Sequence, residues 1–187
     1  NYRAKFVQPS YSEKTVDTEL VCPECHYRFQ IFGIFGFCPK CRTENLKIFD
    51  ANLAIILKEI ATSQDPNRAL RHAYSDLVST FEQFCRKKAL SFTQETTHFQ
   101  NITSTRDFFK KHHDTNIFDG ISEDDQRIIR RVFQKRHIYE HDGGIINTKY
   151  IQMIPEDKPL LGQLAPLSEE EFRIAADILR RVLNNLI

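Results

Sequence analysis

The sequence predicts a mainly α protein, a helical bundle preceded by a small β-type module clipped together by cysteines. Three observations lead there. Four of the five cysteines fall into two Cys-x-x-Cys pairs, Cys22/Cys25 and Cys38/Cys41. From Ala51 onward, apolar residues recur every three to four positions in several separate stretches, the spacing of one helix face. Helix-starting residues stand in front of those stretches: Asp50, Asp65-Pro66, Ser122 and Ser168. The expected division is residues 1–49 for the small module with its N-terminal arm and residues 50–187 for the bundle.

Length and charge bound the function. A chain of 187 residues can bury a real core and suits one main domain with a small attachment. Lys and Arg number 26 against 25 Asp and Glu, so there is no global polycation and any nucleic-acid contact must rest on local patches. No apolar run approaches a membrane span and no signal-peptide pattern opens the chain. Paired cysteines at this spacing argue for a metal in a reducing compartment rather than for disulfides, which predicts a cytoplasmic protein. The chain opens at Asn1 rather than Met, so further residues ahead of it are expected.

Twelve residues separate Cys25 from Cys38. Two such knuckles suit four thiolates, Cys22, Cys25, Cys38 and Cys41, in a tetrahedron around Zn2+. Between them Tyr27–Phe32 alternates as a short strand, and Gly33 and Gly36 permit tight turns. The module therefore looks like a zinc ribbon. Rubredoxin-like iron is the alternative, but those knuckles carry Gly after the second Cys, where His26 and Arg42 stand here. With all four positions filled by Cys, no site remains for a catalytic water, so the zinc is structural and replaces a core that so few residues cannot build. A second role is a surface for single-stranded nucleic acid, from Arg28, Lys40, Arg42 and Lys47 interleaved with Tyr27, Phe29, Phe35 and Phe37.

In the bundle, Asp50 is read as the cap of a helix over Ala51–Ala61, with Leu53, Ile56, Leu57 and Ile60 on one face. Asp65-Pro66 restarts a helix to near Lys88, with Leu70, Ala73, Tyr74, Leu77, Val78, Phe81, Phe84 and Cys85 as its stripe. Cys85 reads as a core thiol and His72 as a surface residue. A polar loop over 91–104 precedes a helix over Thr105–His113, closed by His112 and His113, which suit a helix C-terminus. Ser122 with three acids behind it opens the next helix, and Gly143 and Gly144 end it. Arg127, Arg131 and Lys135 are expected on one exposed face, either solvated or a basic stripe leading RNA inward. Ile145–Pro166 reads as a crossing loop with a short hairpin around Tyr150–Ile154. Ser168 to Glu171 is a capping box for the last helix. That helix's stripe (Phe172, Ala175, Ala176, Leu179, Val182, Leu183, Leu186) is broad enough for a core and a dimer contact.

The chemistry concentrates in Arg136-His137-Ile138-Tyr139-Glu140-His141. Arg136 falls on the apolar side defined by Ile128, Ile129, Val132 and Phe133, and a cation there needs a partner. That partner is a buried carboxylate or carbonyl, or else a phosphate at the edge of a cleft. An Arg, a polar residue beside it and a His five positions after the Arg resemble the HEPN domains (higher eukaryotes and prokaryotes nucleotide-binding). Asp142-Gly143-Gly144 and the later closing helix fit the same comparison, which covers roughly residues 50–187.

The resemblance implies a HEPN-like bundle and a metal-independent endoribonuclease working as a homodimer, a toxin or defence effector with an RNA substrate and a regulatory partner. His141 would transfer protons, Arg136 would clamp the phosphate, and His137 would carry a second proton or orient the first. These residue types suit RNA cleavage through its own 2′-hydroxyl, giving a 2′,3′-cyclic phosphate and a 5′-hydroxyl. On an ideal helix Arg136 and His141 project about 140° apart. They meet only if the helix frays before Gly143 or if two chains bring them together. The alternative is a non-catalytic HEPN and zinc-ribbon module that binds nucleic acid or a nucleotide. A third reading, a substrate of a partnering nucleotidyltransferase, expects His-x-Tyr where this chain has His141-Asp142-Gly143.

Overall fold

The computed structural model describes residues 18–22, 25–31, 40–41, 46–95 and 97–187. In the N-terminal part β1 (Thr18–Val21) pairs antiparallel with β2 (Arg28–Ile31), Thr18 opposite Ile31 and Val21 opposite Arg28. β2 lies within the strand expected between the cysteine pairs. The N-terminal arm, the turns at Gly33 and Gly36, the aromatics Phe32, Phe35 and Phe37, and Cys38 and Arg42 lie outside the described residues.

The rest is mainly helical. α1 spans Leu46–Thr62 and starts before the expected cap. Phe49, buried at 3% exposure, already belongs to the apolar face that continues through Ile56 and Ile60, so the periodicity carries the helix past Asp50. Asp50 instead accepts bonds at 2.6 and 3.0 Å from the guanidinium of Arg180. α2 is Pro66–Leu90, with the Asp65 carboxylate accepting the Arg68 N–H at 3.0 Å. α3 is Ile102–His113 and starts three residues earlier than Thr105, because Asn101 Oδ1 accepts the N–H groups of Thr103 and Ser104. α4 is Glu123–His141, capped by Ser122 as expected.

The crossing segment contains no hairpin at Tyr150–Ile154. Asn147 accepts the Tyr150 N–H at 2.9 Å and so starts a short helix, α5 (Thr148–Met153), followed by a 3-10 turn over Pro155–Leu160. α6 (Glu169–Asn184) closes the chain. α2, α4 and α6 pack on one another, with α1 against α2 and α6, and α3 against α4. Phe81 of α2 meets Phe133 of α4 edge-on at 5.5 Å between ring centres. All seven residues of the expected stripe, six in α6 and Leu186 just beyond it, are buried within their own chain, at 2% exposure or less. The face expected to serve both a core and a dimer is therefore used up by the core. Among the described residues no helix is long and apolar enough to cross a membrane.

A second, smaller core matters for the site. Ile138, Ile146, Tyr150, Ile154 and Ala165 bury one another where the crossing segment folds back over the end of α4. Gly144 makes the fold-back possible. Its φ is +83°, its N–H donates to the Ile138 carbonyl and its own carbonyl accepts the Ala165 N–H, both at 2.9 Å.

Candidate functional site

The last two turns of α4 carry the motif, and the helix stays regular through His141. Fraying therefore does not bring Arg136 and His141 together within one chain. The two residues face different surroundings. His137 and His141 are both exposed and stand one turn apart, their ring centres separated by 4.8 Å. Arg136 is buried at 9% exposure, its Nη1 donating to Gln100 Oε1 and its Nη2 pairing with Glu140 Oε2, each at 2.9 Å. Its Nε is buried and has no hydrogen-bond partner. The partner this arginine needs is thus a carboxylate, Glu140, one turn along the same helix, and it is exposed rather than buried.

Arg136 lies at the edge of a cleft of about 190 Å³ between α2 and α4, lined also by Arg71, His72, Ser75, Tyr139 and Glu140. Ser75 Oγ donates to Glu140 Oε1 at 2.5 Å. Arg71 lies over the Tyr139 ring, 5.2 Å from its centre, and the Tyr139 hydroxyl is anchored on the Ala165 carbonyl. Burial pushes the Tyr139 phenol above its usual range, and the nearby Arg71 charge opposes that. Sequence reasoning missed the α2 side of this cleft. The available signal was three polar residues, Arg71, His72 and Ser75, flanking the buried Ala73 and Tyr74.

The expected basic stripe on α4 is not there. Lys135 is buried at 4% exposure and pairs with Glu171 Oε2 at 2.6 Å. Arg131 is held by Glu156 and Asp157, and Arg127 pairs with Asp124. Four-residue steps advance about 40° around a helix per step, so the row turns from solvent into the core by its third member. Glu171 also accepts the Tyr74 hydroxyl at 2.5 Å, so its carboxylate is not turned back on Ser168, and the capping box keeps only its Ser168-to-Glu171 half. Burial and, next, Glu171 hold the Tyr74 phenol well above its ordinary range.

In the N-terminal part, the sulfurs of Cys22, Cys25 and Cys41 lie within 4.8 Å of one another, close enough to hold a metal ion together. Cys22 Sγ and Cys41 Sγ are 3.5 Å apart. A tetrahedron of thiolates at zinc distance has edges of about 3.8 Å, so the spacing fits. The knuckle is shaped by its backbone. The His26 N–H donates to the Cys22 carbonyl, the Cys22 N–H to the Tyr27 carbonyl, and His26 takes φ +55°, a left-handed conformation that His reaches more readily than most residues. Lys40 Nζ sits over the Tyr27 ring at 5.7 Å.

No family model, no curated protein and no solved structure matches this chain.

Proposed function

We propose that the chain is a metal-independent endoribonuclease of HEPN type acting as a homodimer, with a structural zinc in its N-terminal ribbon. One observation carries the reading: two exposed imidazoles one turn apart, their rings 4.8 Å between centres and tilted by 54°, at the end of the helix that also holds a buried arginine beside a cleft. Imidazole is the side chain suited to giving and taking protons near neutral pH. One imidazole takes the proton of the RNA 2′-hydroxyl as its oxygen attacks the adjacent phosphorus. The other gives a proton to the departing 5′-oxygen. The bonds formed and broken leave a 2′,3′-cyclic phosphate and a 5′-hydroxyl, and a guanidinium neutralises the charge that gathers on the phosphorane oxygens.

The dimer answers the angle between Arg136 and His141. Since α4 keeps them on different sides, the arginine of one chain would serve the histidines of the other. Regulation by a partner, and action as a toxin or defence effector, belong to the same reading. In the ribbon, Cys38 would supply the fourth thiolate beside Cys22, Cys25 and Cys41, and Zn2+ would do folding work rather than chemistry.

The test is cleavage of a mixed-sequence RNA in EDTA by wild type and by His141→Ala, with end-group analysis and solution mass on the same samples. The expected result is cleavage that persists in EDTA, leaves cyclic phosphate ends and falls by about 10²- to 10⁴-fold in the variant. A strict metal requirement with 5′-phosphate ends overturns the mechanism. Absence of cleavage by wild type favours the binding-module reading, which one feature supports: the arginine already has a carboxylate partner in Glu140.

A further inference from the structure

We infer that the cleft between α2 and α4 binds one phosphoryl group, and that Glu140 is a built-in carboxylate occupant which that group displaces from Arg136. The cleft has the chemistry of an anion site. Two guanidinium groups border it, Arg136 from α4 and Arg71 from α2, with His72 and the Ser75 hydroxyl beside them and Glu140 as the lone acid among the lining residues. Its volume of about 190 Å³ leaves room for a tetrahedral phosphoryl group.

The cations are not equally committed. Arg71 rides on the face of Tyr139 and, among the described residues, has no carboxylate in ion-pair reach. Arg136 is nine-tenths buried, yet its Nε has no partner. A buried N–H left unpaired is costly, and a planar fork with a spare donor is suited to a doubly accepting oxyanion. Gln100, which is not among the residues lining the cleft, accepts from Arg136 Nη1 and so fixes the guanidinium without using its remaining donors.

Glu140 is placed to be moved. Its side chain is 34% exposed, so on leaving Arg136 it reaches water at small cost. Its other donor is the Ser75 hydroxyl, which can turn to a phosphate oxygen instead. Arg136 and Glu140 are one helical turn apart, so the pair closes by itself whenever the cleft is empty. The phosphoryl group thus exchanges one carboxylate on one arginine for an oxyanion shared by two arginines and a hydroxyl. The site rests on the ribonuclease reading for one thing only, that its phosphoryl group would belong to RNA.

The experiment follows the arginine Nε–Hε resonances by NMR in the full chain. Two probes are titrated at constant ionic strength: inorganic phosphate, and a 2′-deoxy oligonucleotide without terminal phosphates, which cannot be cleaved through a 2′-hydroxyl. Saturable shifts at Arg71 and Arg136 are expected, with chloride alone producing none. Glu140→Gln removes the competing charge but keeps an acceptor for Ser75, and is expected to tighten binding about tenfold. Arg71→Gln, at an exposed position, is expected to weaken it about tenfold without unfolding the chain.

Response to the oligonucleotide alone identifies a backbone diester, response to phosphate alone a free or terminal phosphate, and response to both the shared chemistry. Absence of saturable shifts with both probes in wild type and Glu140→Gln overturns the inference, as does binding indifferent to both substitutions. Because neither probe can be cut, failed RNA cleavage leaves this result standing. Retained cleavage with no binding here sinks the cleft and spares the ribonuclease.

Discussion

Two triads of the same composition lie side by side in this molecule, and they are built to opposite ends. Each takes a hydroxyl from α2, a carboxylate, and a cation from α4. In the first, Tyr74, Glu171 and Lys135 meet between three helices, with Lys135 Nζ and the Tyr74 hydroxyl converging on Glu171 Oε2. In the second, Ser75, Glu140 and Arg136 meet one residue further along both helices, with the two donors on separate oxygens of Glu140. The carboxylates differ most. Glu171 is 15% exposed and ties α6 to α2 and α4, whereas Glu140 is 34% exposed and belongs to the same helix as its cation. A charge locked between elements serves the fold. A charge closed upon its own helix, with a donor left over and a cleft beside it, is available for a ligand.

The largest stability effect should separate the two cations. Lys135→Ala strands the Glu171 carboxylate among packed helices and is expected to cost about 3 kcal/mol. Arg136→Gln leaves Glu140 free to turn to water and is expected to cost about 1–2 kcal/mol. Urea unfolding with matched m-values measures both. If Arg136 proves the costlier, the second triad is a structural strut and the comparison fails. Replacing the first pair by apolar residues, Lys135→Met with Glu171→Leu, should recover much of the loss, because a buried pair is dearer to break than to remove.

The sequence showed the helices more clearly than it showed this distinction. Apolar periodicity and the caps at Asp65, Ser122 and Ser168 led to α2, α4 and α6 with little error, because those signals are local. Arg136 was legible as a buried cation in need of a partner, since its helix face could be counted. Lys135 was not, because one row of four-residue steps looks exposed until its drift around the axis is followed into the core. Nor could Glu171 be assigned locally. Its position fits a capping box, and it is Tyr74, 97 residues away, and Lys135, 36 away, that draw its carboxylate elsewhere. The cleft was hidden for the same reason: Arg71 and Ser75 gain meaning only when α2 lies beside α4. Asn147, the cap of α5, went unread because Pro155, Pro159 and Pro166 beyond it favoured a loop.

A middle-sized effect tests whether the second triad depends on the fold-back at the end of α4. An added Cβ on Gly144 would stand 2.5 Å from the Tyr139 ring, at a φ of +83°. At Gly143, φ is +63° and nothing lies within 4 Å. Gly144→Ala should therefore cost about 2–3 kcal/mol, combining backbone strain with a clash, and Gly143→Ala only about 1 kcal/mol from the backbone. The ring that must shift is the one beneath Arg71. Gly144→Ala should thus also move the Arg71 Nε–Hε resonance, while Gly143→Ala and Lys135→Ala leave it in place. A shift of equal size in all three would mean that the cleft responds to general loosening rather than to Tyr139.

The smallest effects sharpen the contrast furthest, because they remove one hydroxyl from each triad and change little else. Tyr74→Phe deletes a donor to a carboxylate that has few other donors, and with it the contact to the Ser168 carbonyl at the start of α6. The expected cost is about 1.5 kcal/mol. Ser75→Ala deletes a bond of the same 2.5 Å length, yet Glu140 is open to solvent and water replaces the lost donor. Its expected cost is below about 0.5 kcal/mol. The length of the bond to the carboxylate alone predicts equal losses, so the difference measures what burial and the Ser168 contact add. Equal losses in urea unfolding would show that Glu140 is held as firmly as Glu171, and a carboxylate held that firmly would not yield Arg136 to a phosphate.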